Sequence, residues 1–285
     1  MKARAFRIVN VFARAGRLTG NPLCVFEDGT GLDDATMQAL ARQFNLSETT
    51  FILPSTRATA HVRIFTPAYE MPFAGHPTLG TAHVVRSLRA CGDSVKLEMK
   101  AGIIPVAAQG DRWTLVARTP RVREVGESRA ALAEGLGLDE SDIGERPLWV
   151  NAGTEQMMVP VGTADAVARA APRADVFLKL GSAEPPKAYV FFDEGDTTRR
   201  VSARFFFPSS AGVIEDPATG SACANLGGWF CQMRPGTDVE RVISQGEAVA
   251  RPSTLYLAVR SATVFVGAPD LMLNVDVTLG VGLRL

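Results

Sequence analysis

The feature that most constrains this chain is a pair of matching blocks. Arg63-Ile64-Phe65-Thr66-Pro67 precedes His76-Pro77-Thr78-Leu79-Gly80-Thr81-Ala82, and Arg204-Phe205-Phe206-Phe207-Pro208 precedes Asp216-Pro217-Ala218-Thr219-Gly220-Ser221-Ala222. The second block begins 140 positions after the first, with Pro, Gly and Ala in matching places. In each, an apolar strand ends at R-x-F-x-P, a loop follows, and a polar residue directly before Pro opens a small-residue stretch. Gly102 and Gly246 each sit later in a strand–turn–strand pattern. A chain of 285 residues then reads as two copies of one unit of roughly 120–140 residues. The seam is expected in the polar stretch Thr119 to Glu127. The first half is residues 1–122, rejoined by a C-terminal strand at about 274–285, and the second is 123–273.

Alternating apolar residues predict strands at Ala5–Val11, Leu23–Phe26, Thr50–Leu53, Ala60–Phe65, Val95–Met99 and Trp113–Ala117. A second series is predicted at Leu148–Asn151, Gln156–Val161, Ala188–Phe192, Ser202–Phe207, Thr254–Val259, Thr263–Gly267 and Met272–Val277. Met37, Leu40, Ala41 and Phe44 form a helical stripe within Leu32–Phe44, with Asp33 or Asp34 as cap. Further helices are predicted at Arg129–Gly135 and Ala164–Ala171. This mixture is α+β, with antiparallel-leaning strands rather than regular βαβ alternation.

Several function classes are disfavoured. Thirty basic residues balance thirty acidic ones, so no net field draws the chain to nucleic acid or a membrane surface. The start, Met1 to Val9, lacks the apolar core of a secretion signal, and no run of about 18 apolar residues occurs. Cys24, Cys91, Cys223 and Cys231 form no C-x-x-C pair and have no His at ligand spacing. A reduced, cytoplasmic setting is therefore expected, without structural zinc. No G-x-G-x-x-G follows a strand, so no dinucleotide is expected.

Proline suits a first helical position because its missing N–H would be unpaired there. His76 and Asp216 are accordingly expected at or next to the N-caps of two repeat-related helices, with Ser221 one turn inside the second. Helix N-termini present unpaired N–H groups and partial positive charge. Two of them could hold a carboxylate and leave polar side chains around its α-carbon, a setting suited to moving protons on a small carboxylic acid.

Gly20-Asn21-Pro22, Asn45-Leu46-Ser47-Glu48-Thr49-Thr50-Phe51, Phe73-Ala74-Gly75-His76-Pro77 and Glu215-Asp216-Pro217-Ala218-Thr219-Gly220-Ser221-Ala222 together resemble the PhzF family. The resemblance runs in order from near the N-terminus to the Gly246 region. It implies a diaminopimelate-epimerase-like fold, in which two similar halves each wrap a sheet round a central helix, with the site between them. It also implies a homodimer, no cofactor, and isomerisation of the kind undergone by trans-2,3-dihydro-3-hydroxyanthranilate. On this resemblance Glu48 is the proton shuttle and His76, Asp216 and Ser221 are its catalytic partners. Gly75, Thr219 and Gly220 bind substrate.

Two-thiol racemases of the same fold carry one cysteine from each half. Here Ala74 precedes Gly75 and Ala218 precedes Thr219, so a racemase or epimerase is the weaker alternative. A non-catalytic protein that binds a metabolite or a protein partner is another. Cys223, His61, His83 and Trp229 are expected to be structural, Phe205 to Phe207 to be sheet core, and Glu70 and Glu215 to be solvated.

Overall fold

The computed structural model describes residues 3–14, 18–110, 112–181, 185–209 and 212–268. The chain divides into two compact units, one built on Met1–Leu115 and the other on Val116–Val266. The strands expected at Met272–Val277 and at about 274–285 lie outside the described residues.

The first unit runs β1 (Phe6–Val11), β2 (Asn21–Phe26), α1 (Asp34–Phe44), β3 (Thr49–Leu53), β4 (Ala60–Phe65), β5 (Glu70–Met71), α2 (Gly75–Arg89), β6 (Ser94–Met99), β7 (Gly102–Gln109) and β8 (Arg112–Val116). Its strands pair in the order β1-β2-β3-β4-β6-β7-β8. The β2–β3 and β4–β6 pairs are parallel and the others antiparallel, while β5 folds back on the end of β4. Each parallel pair needs a crossover, and α1 and α2 supply them.

Helix α1 begins where Asp33 accepts a hydrogen bond from the Thr36 N–H (2.8 Å) and ends at Asn45 in the left-handed conformation. Met37, Leu40 and Ala41 turn inward against Phe26 and Phe51. Helix α2 is different in kind: every residue from His76 to Val85 is buried. A helix covered all round is a core element rather than a surface one. A Cβ at Gly80 would lie 2.7 Å from Leu23 Cδ2 and 2.8 Å from Val11 Cγ2, so only glycine lets β1 and β2 approach this closely.

The second unit runs β9 (Arg121–Glu124), α3 (Arg129–Leu136), a 3-10 turn at Glu140–Asp142, β10 (Leu148–Asn151), β11 (Glu155–Pro160), α4 (Ala164–Arg169), α5 (Ala174–Phe177), β12 (Ala188–Asp193), β13 (Arg200–Ser209), β14 (Gly212–Asp216), α6 (Gly220–Met233), β15 (Val239–Gln245), β16 (Ser253–Arg260) and β17 (Thr263–Ala268). Its pairing order is β10-β11-β12-β13-β15-β16, with β11–β12 and β13–β15 parallel, and β14 folded back on β13. That order and those directions repeat β1-β2-β3-β4-β6-β7 strand for strand. Helix α6 is the counterpart of α2 and is buried from Ala222 to Gly228.

Two expectations are corrected. The helix expected over Ala164–Ala171 stops at Arg169, because Pro172 disfavours helical geometry just before it. Strand β9 lies inside the stretch expected to be a connector and pairs with β10.

A Cβ at Gly228 would sit 2.6 Å from Pro120 Cβ and 2.7 Å from Val150 Cγ1. Gly228→Val is therefore expected to lower stability by about 1–3 kcal/mol through overpacking. Urea denaturation would read this as a lower midpoint at unchanged slope. No helix among the described residues is long and apolar enough to cross a membrane.

Candidate active site

The two central helices start in the same way. Ala74 is the extended N-cap of α2, followed by Gly75 and then His76; Thr219 is the N-cap of α6, followed by Gly220 and then Ser221. His76 is thus the second helical residue, with Pro77 third, and Ser221 is also second rather than a turn further in. Proline at the third position costs no hydrogen bond, since the first four helical N–H groups have no intrahelical partner. Asp216 is not at an N-cap. It ends β14, three residues before Thr219. The structure therefore matches His76 with Ser221, not with Asp216, because the β13–β14 hairpin is longer than its counterpart β4–β5.

In the first unit Glu48 directly precedes β3, whose pairing with β2 and β4 carries it to the start of α2. Its Oε2 lies 3.3 Å from His76 Nδ1, with the carboxylate side chain 15% and the imidazole 6% exposed. Burial pushes the His76 imidazole down to about 3, so the ring is uncharged at neutral pH. Its Nε2 is buried and has no hydrogen-bond partner among the described residues. One residue on from Thr49, Thr50 Oγ1 meets Thr81 Oγ1 at 2.8 Å and ties β3 to α2.

An unfolded imidazole takes up its proton near 6.5, the folded one near 3. Between these values the unfolded chain binds more protons. Stability from this group is thus complete above about pH 6.5 and falls as pH drops toward 3. The loss reaches about 2 kcal/mol at pH 5. Urea denaturation of wild type and His76→Gln at pH 7 and pH 5 checks this: the wild type should lose about 2 kcal/mol more than the variant.

In the second unit Thr219 Oγ1 donates to Asp216 Oδ2 at 2.5 Å. Gln245, at the end of β15, holds this turn together. Its Nε2 donates to the Asp216 carbonyl (2.9 Å) and to Thr219 Oγ1 (3.0 Å), while its Oε1 accepts from the Thr219 N–H and the Tyr189 hydroxyl. Ser221 Oγ accepts from Gln156 Nε2 at 2.9 Å. Neither glutamine was foreseen. Gln156 gave one sequence signal, a polar residue beside the apolar run Met157–Val159, and Gln245, the last residue of the polar–apolar strand β15, gave none. Burial holds the Cys223 thiol protonated, as its titration is pushed far up; it contacts the Tyr256 carbonyl and fits the core role expected of it.

Glu70 and Glu215 are not solvated, as was expected, but ion-paired. Arg63 donates from Nε and Nη2 to the two oxygens of Glu70 (2.8 and 2.7 Å), and Arg204 donates from Nε and Nη2 to Glu215 Oε2 (3.1 and 2.6 Å). Each guanidinium also lies over the phenylalanine two residues later, Phe65 or Phe206. The register explains the match: Glu70 faces Phe65 across β4–β5, and Glu215 faces Phe206 across β13–β14. The R-x-F echo is therefore an ion-pair motif that braces the loop before each central helix. Asp216, one residue after Glu215, occupies the place of Met71.

A family model described as phenazine biosynthesis-like protein, PhzC-PhzF, matches residues 9–267. The chain is 36% identical over 267 residues to an uncharacterised isomerase of Pasteurella multocida, covering 92% of this chain and 90% of that one. It is 34% identical over 259 residues to the trans-2,3-dihydro-3-hydroxyanthranilate isomerase of Pseudomonas fluorescens, covering 87% and 88%. A crystal structure of a Bacillus anthracis PhzF-family phenazine biosynthesis protein superposes with a TM-score of 0.84 at 26% identity, covering 94% and 96%. With a central helix wrapped by sheet in each unit and these relatives along its length, the chain belongs to the PhzC-PhzF family of phenazine biosynthesis-like proteins and is an isomerase of α+β, diaminopimelate-epimerase-like fold.

Proposed function

We propose that this isomerase moves a proton between carbons of a small cyclic or unsaturated carboxylic acid, with Glu48 as the shuttle. The observation that carries the reading is the half-buried Glu48 carboxylate beside the uncharged, buried imidazole of His76. Because His76 is uncharged, proton uptake by Glu48 costs no charge–charge attraction to that ring. The carboxylate removes a proton from a carbon next to the unsaturated system, and the electron pair left behind spreads through the conjugated bonds. Glu48, now protonated, returns the proton to another carbon of the same system, so the atoms balance and no outside acid or base is consumed. His76 Nε2, buried and without a partner among the described residues, is the atom of this ring left to pair with a polar substituent of the substrate. Asp216 and Ser221 bind others, Thr219 orients Asp216, and the helix-start N–H groups at Gly75 and Gly220 suit a carboxylate.

The dihydro-hydroxyanthranilate handled by the Pseudomonas fluorescens relative has the required chemistry: a ring carboxylate, an amine, a hydroxyl and conjugated double bonds. It is the first substrate to test, and a role in phenazine formation follows only if it is turned over. The protein is proposed to work as a homodimer in the cytoplasm without a cofactor. The test is proton NMR in D₂O with this compound and a panel of cyclic acids. Deuterium entering a ring carbon supports the reading. If none of the compounds isomerises or takes up deuterium, or if Glu48→Gln turns them over as fast as wild type, the shuttle on this substrate class is wrong.

A further inference from the structure

Two buried amides stand behind Ser221. Gln156 on β11 is 1% exposed and Asn225 on α6 is fully buried. Asn225 lies four residues after Ser221, hence on the same helical face. The Asn225 Oδ1 accepts from the Ala152 N–H (2.7 Å), and its Nδ2 donates to the Thr154 carbonyl (2.9 Å) and to Gln156 Oε1 (2.7 Å). Backbone groups have fixed polarity, so the Asn225 amide has only one permitted orientation. That orientation places Gln156 Oε1 toward Asn225 and Gln156 Nε2 toward Ser221 Oγ, 2.9 Å away.

An amide nitrogen donates and does not accept. The Ser221 oxygen is therefore an acceptor toward Gln156, and its proton points elsewhere. The Ser221 hydroxyl has no other hydrogen-bond partner among the described residues.

The fold itself does not demand these amides. In the first unit, strand pairing matches Gln156 with Leu23, and the helix starts match Asn225 with Gly80 and Ser221 with His76. Leu23 packs directly on Gly80 there, so the same crossing is built from an apolar pair. Burying two amides where leucine and glycine suffice is costly unless each is fully paired. The amides accompany the serine.

We propose that Gln156, locked by Asn225, is a positioning residue that makes Ser221 an obligate hydrogen-bond donor to an acceptor oxygen of the substrate. The inference rests on the reading of Ser221 as a substrate-binding group. It deepens that reading by fixing which polarity of substituent Ser221 takes.

The test is calorimetric binding of 3-hydroxyanthranilate, a stable aromatic amino acid of the proposed class, to wild type, Ser221→Ala, Gln156→Glu and the double variant at pH 5 and pH 9. A protonated carboxyl at position 156 donates to Ser221 as the amide does, whereas an ionised one accepts and draws the serine proton inward. The ratio of Gln156→Glu to wild-type Kd is expected near one at pH 5 and about tenfold at pH 9, the worth of one hydrogen bond to a charged group. At pH 9 the double variant should bind no more weakly than Ser221→Ala alone. Should Gln156→Glu fail to fold, Gln156→Leu/Asn225→Gly copies the pair found in the first unit. It should weaken binding about tenfold at both pH values.

A Kd ratio for Gln156→Glu that does not change with pH would overturn the proposal, as would additive losses in the double variant. Wild-type affinity in the Leu/Gly variant would do the same, and so would a wild type that ignores the probe at millimolar concentration. Binding is read without turnover, so an inactive wild type that still gave the pH-dependent ratio would sink the isomerase reading alone.

Discussion

Replacing Glu48 with Gln lowers kcat by about a thousandfold or more and leaves the fold intact. General acid–base groups contribute about 10²–10⁴ in rate, and here one carboxyl is asked both to take and to return the proton. Gln keeps the shape and polarity of Glu but can do neither. The side chain is 15% exposed, and its 3.3 Å contact with His76 is to an uncharged ring, a contact that Gln can keep. Melting curves should overlay within a few degrees, and the Kd for 3-hydroxyanthranilate should change far less than kcat. Steady-state kinetics beside deuterium entry in D₂O makes the check. A variant retaining a tenth of wild-type turnover would remove Glu48 from the chemistry and leave the family and fold standing.

Arg204→Met should be the most destabilising of the substitutions considered for the second unit. The Glu215 side chain is 5% exposed and its ionic partner is Arg204. Removing one member of a buried pair costs about 3–5 kcal/mol, because the other charge is left in the interior. The same guanidinium also donates to the carbonyls of Ala168 and Ala170 at the end of α4 (3.0 and 2.6 Å), so α4 loses its anchor as well. Arg63→Met in the first unit should cost less, since Glu70 keeps Lys100 Nζ at 2.5 Å. Chemical denaturation of both variants gives the comparison, with Arg204→Met/Glu215→Gln expected to recover part of the loss. Equal costs in the two units would show that the repeated ion pair does not carry the stability assigned to it.

Strand positions were legible because alternation has a period of two and leaves its mark on any half-buried strand. Ala60–Phe65 and Leu148–Asn151 have the bounds expected of them. The α1 cap at Asp33 was legible for a similar reason: a capping side chain acts on its own next turn. Strands β5 and β14 were not foreseen. Each is held by the arm of its neighbour, and Glu70-Met71 or Gly212–Asp216 carries little alternation of its own.

The same division runs through the site. Glu48, Gly75, His76, Asp216, Thr219, Gly220 and Ser221 sit in contiguous motifs that the chain displays without being folded. The amino-acid order was thus enough for the family, for a duplicated α+β unit and for a short candidate list. It misaligned the repeat, because a shared x-Pro step drew His76 to Asp216, while the helix starts set His76 against Ser221. It left Glu70 and Glu215 as surface charges, because an ion pair across a hairpin depends on register. It missed Gln156, Asn225 and Gln245 altogether. A buried amide acquires its meaning only from the groups it faces, and those lie 65, 69 and 26 positions away along the chain. Local chemistry was written in the sequence, whereas hydrogen-bond polarity and charge pairing across strands arose only when distant segments met.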